Sequence, residues 1–171
     1  MWLSQMDRSK GSRSPRRVLV VFLSLALLIP LAFPSIASAG DVAVIVRPDV
    51  PADDLSFNEV RNLVLGDRQF WDSNTRLTLL IQAPAARERE VLLKIIYQMT
   101  EAQFRQYWIS KVFRAEAAAG PKIVYSNQMA IQLVGAIPGS IAFIDASEVP
   151  KGLKVLKVDG KLPGEKGYPL H

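Results

Sequence analysis

From residue 41 onward the apolar positions fall into two spacings, every second residue and every third or fourth. Asp41 to Arg47, DVAVIVR, is a β-branched run closed by Pro48, which predicts a strand. The loop PDVPADD leads to Ser56-Phe57-Asn58-Glu59, a capping box with Ser56 as the cap and Glu59 reaching back. Phe57, Val60, Leu63 and Val64 then repeat at helical spacing, and Gly66 stops the helix. Beyond the loop GDRQFWDSN, Arg76 to Gln82 predicts a second strand. Pro84 sits ahead of, or in, the first turn of a helix whose stripe is Val91, Leu92, Ile95, Ile96 and Met99. Thr100-Glu101-Ala102-Gln103 is a second capping box, opening a helix with Phe104, Tyr107, Trp108 and Val112 on one side. Gly120-Pro121 breaks it, and Lys122 to Tyr125 predicts a short strand. Ser126 or Asn127 caps a helix bearing Met129, Ala130, Leu133, Val134 and Ile137. Pro138-Gly139 turns the chain into a strand over Ser140 to Asp145, and a last strand covers Leu153 to Val158. The tail GKLPGEKGYPLH reads as turn-like and polar. Strands alternating with helices predict an α/β sheet with helices on its faces.

The first 39 residues follow neither spacing. Residues 1–17 carry Arg8, Lys10, Arg13, Arg16 and Arg17 against one acid, Asp7. Val18 to Phe33 is a run of 16 uncharged residues, and Ala37-Ser38-Ala39 follows. A basic start, a short apolar stretch and an A-x-A site predict a secretory signal peptide over 1–39. A bilayer span needs about 20 apolar residues, so an uncleaved anchor fits less well. Arg16-Arg17 hints at twin-arginine export, while the leucine-rich stretch suits the general route better. Cleavage after Ala39 would leave 40–171 as one periplasmic domain with no membrane contact.

Charge then reads differently. Of the 21 basic and 16 acidic residues behind the net +5, the leader holds five and one. The remaining 16 and 15 leave +1, which gives no case for nucleic acid. There is no cysteine, so packing rather than disulfides must hold the domain. The single histidine, His171, is the last residue and reads as a solvated tail. No G-x-S-x-G, P-loop or dinucleotide fingerprint occurs, and no cluster has zinc or EF-hand spacing. Asp53-Asp54 reads as a turn before the Ser56 cap. With no nucleophile–base pair to name, neither an enzyme nor a cofactor or metal site is expected. Phe70-Trp71 reads as a plug at the edge of its own core, and Arg87-Glu88-Arg89-Glu90 as a solvated helix face. Two helix starts remain as anion candidates, near Arg87 and near Ser126-Asn127, because N–H groups and the helix dipole favour negative charge there.

Four segments, in order and at the right spacing, resemble the phosphate-binding proteins of ABC transporters, which have a type 2 periplasmic-binding fold. VIVRP (44–48) resembles the strand entering that family's second lobe. LSFNEVRNLVLGDRQFW (55–71) resembles its Leu-Gly stop followed by a tryptophan, and LVGAIPGSIAFID (133–145) its passage of helix, Pro-Gly and strand. LKVLKVDGKLPGEKGYPL (153–170) resembles the return segment ending in Tyr-Pro-Leu. The resemblance implies an α/β fold, a mixed sheet flanked by helices, and a substrate-binding role in transport. It covers a single lobe and its hinge strands, whereas the family's ligand lies in a cleft between two lobes.

In that family a cradle reading Arg-x-Asp-Gly-Ser-Gly-Thr opens a helix after a strand. Here LLIQAPAARERE (79–90) takes its place. Gln82 stands for the arginine, Ala86 for the serine, Arg87 for the second glycine and Glu88 for the threonine. Ala86 has no hydroxyl to donate, and Glu88 brings negative charge to the phosphate position. A like charge about 4 Å away costs roughly 1–4 kcal/mol, or one to three decades of affinity. A shift of one position would let Arg87 face the anion instead. Tyr125-Ser126-Asn127 stands where the family opens a helix with a Gly-Asn-Asp-Gly-type turn, and Ser126 and Asn127 are either plain caps or ligand contacts. The resemblance thus implies weak holding of phosphate or another small anion by Ser126, Asn127 and one of Arg87 or Arg89. A second copy or an envelope protein would complete the cleft. The alternative is a degenerate lobe that serves as an interaction or sensing accessory without ligand.

Overall fold

The structure is a computed structural model that describes residues 40–171; the leader expected over 1–39 lies outside the described residues. In chain order its elements are β1 (Val42–Val46), β2 (Asp54–Leu55), α1 (Phe57–Val64), β3 (Thr78–Gln82) and α2 (Arg87–Val91), which runs into a π-helical stretch (Leu92–Tyr97). There follow α3 (Glu101–Phe113), β4 (Lys122–Val124), α4 (Asn127–Ala136), β5 (Ser140–Asp145), a 3₁₀ turn (Ala146–Glu148), β6 (Lys154–Val155) and β7 (Lys157–Val158).

Five strands make one mixed sheet in the order β4-β3-β5-β1-β6. β3 runs parallel to both β4 and β5, and β1 runs antiparallel to β5 and β6. Period-two alternation divides their side chains between two cores. Val42, Val44, Val46, Leu79, Ile81, Ile141 and Phe143 face α1, the π-helical stretch and α3, meeting Val60, Leu63, Leu92, Ile96, Phe104 and Trp108. Ala43, Ile45, Leu80, Ala142 and Ile144 face α4, meeting Ala130 and Val134. A sheet covered on both faces needs apolar residues at every position of its inner strands, which is why VAVIV reads as a continuous run. β2 and β7 form a separate two-stranded parallel ribbon.

The local signals hold. Ser56 and Glu59 close the first capping box, and Thr100 and Gln103 the second. Gly66 ends α1 at φ +73°, where an added Cβ would lie 2.6 Å from the Trp108 ring. Trp71 is the expected plug, its indole N–H donating to the Gly139 carbonyl at 2.8 Å, while Phe70 stays exposed.

Four expectations change. The helix ends at Tyr97, short of Met99, which still packs against the core: the helix widens over 92–97, Gln98 turns left-handed at φ 54°, and Met99 N–H reaches back to Leu93 O at 3.1 Å. This turns Tyr97 inward, where its hydroxyl donates to Val64 O and burial pushes its phenol pKa up. Val112 is exposed, because the last turn of α3 points Lys111 inward to Asp67 and the Tyr107 hydroxyl. The last strand divides in two, β6 joining the main sheet and β7 the ribbon, with Leu156 fully buried between them. The tail is not polar throughout: Tyr168 and Leu170 are buried, and their hydroxyl and carbonyl bond the Val42 backbone, both at 2.8 Å. Among the described residues no helix is long and apolar enough to cross a membrane.

Candidate functional site

Because β3, β4 and β5 run parallel, their carboxyl ends meet at one edge of the sheet. In open α/β sheets ligands bind just outside such ends. The chain crosses this edge three times: from Gln82 through Ala83–Ala86 into α2, from Val124 through Ser126 into α4, and from Asp145 into the 3₁₀ turn. Ala85 takes φ 69° in the first crossing, the left-handed region that favours glycine. Ala86 occupies the N-cap of α2 and offers no side-chain bond, as its missing hydroxyl requires.

The three crossings are tied together by side chains. Gln82, 3% exposed, donates from Nε2 to Asn127 Oδ1 at 2.6 Å. Asn127 Nδ2 in turn faces Glu88 Oε1 at 3.1 Å and Glu148 Oε1 at 2.9 Å. Ser126 Oγ accepts from Met129 N–H at 3.1 Å, so it caps α4. Arg87 donates to the Gly40 carbonyl and meets Asp145 Oδ2 at 3.4 Å. The Ser147 hydroxyl and N–H donate to Asp145 Oδ1 at 2.6 and 2.8 Å. With Arg87 adding its charge, they hold the carboxyl below its ordinary value against the opposing effect of burial.

Arg89 and Glu88 correct the solvated-face expectation for Arg87-Glu88-Arg89-Glu90: of the four, both are buried, Arg87 is half-buried and only Glu90 is exposed. Arg89 is 3% exposed and makes a two-pronged pair with Glu101, Nε to Oε2 at 2.8 Å and Nη2 to Oε1 at 2.7 Å. Its Nη1 donates to the Gln82 carbonyl at 2.9 Å, and its guanidinium lies 4.5 Å from the Phe104 ring centre. A periodic stripe marks which side of a helix is apolar; it does not reveal that a partner from another helix makes a polar side buriable.

Of the four candidate residues, Ser126 and Asn127 open α4 and Arg87 opens α2 at this edge, each with its own partners rather than one another, and Arg89 lies beneath it against Glu101. Asp145 and Glu148 belong to the same edge and were missed. A usable signal existed: Asp145 is the polar end of an apolar strand, and strand carboxyl ends in α/β sheets gather function. The edge therefore carries Arg87 against three carboxylates, Glu88, Asp145 and Glu148.

No family model matches the chain, and no curated protein matches it. Solved structures do. A substrate-binding protein assigned to phosphate ABC transport, with bound phosphate, from Clostridium perfringens superposes with TM-score 0.57 at 17% identity over 71% of this chain and 46% of its own. PstS from Borrelia burgdorferi gives 0.60 at 15% identity, covering 77% of this chain and 54% of that one. An ABC-type phosphate transport receptor from Vibrio cholerae gives 0.58 at 14% identity, covering 72% and 48%. At these identities the likeness establishes the fold, and the chain spans about half the length of each of these structures.

Proposed function

We propose that this chain is an exported, single-lobe module of solute-binding type that acts in the periplasm and holds phosphate or another small anion weakly at its carboxyl edge. The observation that carries the reading is the meeting of three parallel strand ends with the start of α4 at Ser126 and Asn127, which the Asn127–Glu88 bond ties to the start of α2, where Arg87 lies. Backbone N–H groups and the dipole of a ten-residue helix favour an anion there. Arg89 contributes from below, holding the Gln82 carbonyl and hence the end of β3 in place. Weakness has a cause: Glu88 already bonds Asn127, and an entering anion must displace it.

The exported location rests on the leader-like residues 1–39, and the link to ABC transport on the fold. One lobe supplies one wall of a cleft, so a second copy or an envelope protein is the natural second wall.

Calorimetric titration with phosphate, sulfate and acetate tests the reading. Dissociation constants on the order of millimolar are expected for the native chain, and thermal midpoints that climb with the logarithm of ligand. Glu88→Thr removes one of the two carboxylates on Asn127, leaving Glu148, and should tighten phosphate binding by roughly tenfold. If neither chain gives heat or a midpoint shift, the anion reading fails. A second reading then stands, a ligand-free interaction or sensing accessory, supported by the protein partners that each of the four side chains already has.

A further inference from the structure

Two of the most exposed apolar side chains stand on α3, away from the carboxyl edge. Phe113 is 90% exposed and Ile109 63%. Between α3 and β4 lie two adjoining hollows of about 460 and 350 Å³ that share Trp108, Ile109 and Gly120. Ile123 of β4 lines the second. β4 is also the edge of the sheet. Val124 O accepts from Ala83 N–H at 2.7 Å. Strand alternation therefore turns the N–H and C=O of Ile123 away from β3, toward the free side. An edge with unpaired backbone groups beside an apolar trough is the arrangement by which sheets accept an added strand.

The charges choose the partner. Around the trough, the acids Glu101 and Glu116 are held by Arg89 and Arg114. Arg105 and Lys122 are exposed and form no ion pair among the described residues, and neither does Arg76. Arg76 and Lys122, with Arg68, line a further cavity of about 120 Å³ next to the start of β4, a space suited to a carboxylate side chain. The uncompensated charge at the rim is thus positive. A second copy docking by the same edge would set Lys122 and Arg105 against their own kind, and like charges across a strand pair are unfavourable.

We propose that the free side of β4, with the trough between it and α3, docks an extended segment of another protein that carries alternating apolar and acidic side chains. The apolar set would lie on Ile109, Phe113 and Ile123, the acidic set on the other face of the added strand would reach Lys122 and Arg76, and Arg105 at the trough would meet an acid flanking the apolar set. The inner hollow reaches Pro84 and Arg89 below the carboxyl edge, but Ile109, Phe113 and the outward backbone of Ile123 take no part in holding an anion, so the surface stands whether or not one binds there.

The test uses the full chain and a short synthetic peptide alternating Glu with Ile and Phe, compared with its Lys-for-Glu counterpart and with phosphatidylglycerol vesicles. Expected is saturable, salt-sensitive binding of the acidic peptide, with amide shifts in NMR spectra centred on Lys122–Tyr125. Phe113→Asp and Ile123→Pro should each weaken it by about tenfold or more. The first replaces a side chain already in water. The second removes only an outward N–H, and unchanged thermal midpoints would show both folds intact. Equal binding of the two peptides, or full retention by Phe113→Asp, overturns the proposal. So does vesicle binding lost in Phe113→Asp without any peptide binding, which would mark a membrane surface, or self-association lost in Ile123→Pro, which would mark a dimer edge.

Discussion

The base of α2 and its tip use the same residue types to opposite ends. At the base, Arg89 is buried, gripped by both oxygens of Glu101, stacked over Phe104 and bonded to the Gln82 carbonyl. At the tip, Arg87 is part-exposed and meets Asp145 at a long 3.4 Å, while Glu88 leans on Asn127 at 3.1 Å. A charge inside the fold must have matched partners and so becomes part of the frame. A charge at the rim keeps water as an alternative, so a ligand can replace its partner at small cost. Sequence neighbours can therefore divide into scaffold and site within a single helical turn.

Breaking the base should have the largest effect. Arg89→Ala leaves Glu101 without its partner and the Gln82 carbonyl without its donor. A loss of about 1.5–3 kcal/mol is expected, since Glu101 keeps about a third of its side chain in water, read as a lower denaturant midpoint at unchanged slope. A loss near that of an exposed pair would make Arg89 rim rather than frame. Exchanging both members, Arg89→Met with Glu101→Leu, should recover most of the stability, because the greater part of the single-variant loss is an unpaired charge.

Asn127→Ala comes next. It strips the buried Gln82 amide of its acceptor and frees Glu88 and Glu148 to repel across the edge, for a loss of about 1–3 kcal/mol by the same denaturant measurement. Ala85→Gly should act in the other direction and gain about 0.5–1 kcal/mol, because φ 69° is strained for alanine and open to glycine. The increase should appear in the thermal midpoint and leave the contacts on either side of α2 unchanged.

The smallest effect belongs to Arg87→Ala, below about 1 kcal/mol and fading with salt. Its clearest trace should be at acid pH. Asp145 is held below its ordinary value in the fold, first by Ser147 and then by Arg87. Its stabilising contribution is complete above the unfolded value of about 3.9 and disappears as pH falls through the lower folded value. Removing Arg87 should raise the folded value of Asp145 and narrow this loss without abolishing it, since the Ser147 donors remain. NMR titration of the Asp145 carboxyl in both chains reads the difference directly.

Much of the fold could be read in advance. The two capping boxes, the stop at Gly66, the Pro138-Gly139 turn and the all-apolar β1 are local patterns, each decided within a few residues. The order of segments resembles that of a single lobe of phosphate-binding proteins, and solved structures of such proteins superpose on the fold. The site was legible only in part. Gln82, Glu88, Ser126 and Asn127 drew attention through their place in a motif, but their partners did not. Asp145 lies 58 residues from Arg87, and Asn127 lies 39 from Glu88. The RERE run looked solvated because helical spacing records hydrophobic neighbours and cannot record that Glu101 would arrive beside Arg89.

By itself, then, the sequence determined the alternation of strands and helices, and their caps and stops. Backbone capping and period-two burial act over three or four residues, so the chain carries them openly. Only the tertiary structure decided that Arg89 is frame and Arg87 is rim, that Tyr168 and Leu170 close onto β1, and that β4 is left with a free side. These depend on which distant segments share a hydrogen bond or exclude water from one another, and burial is a property of the assembled neighbours rather than of the residue.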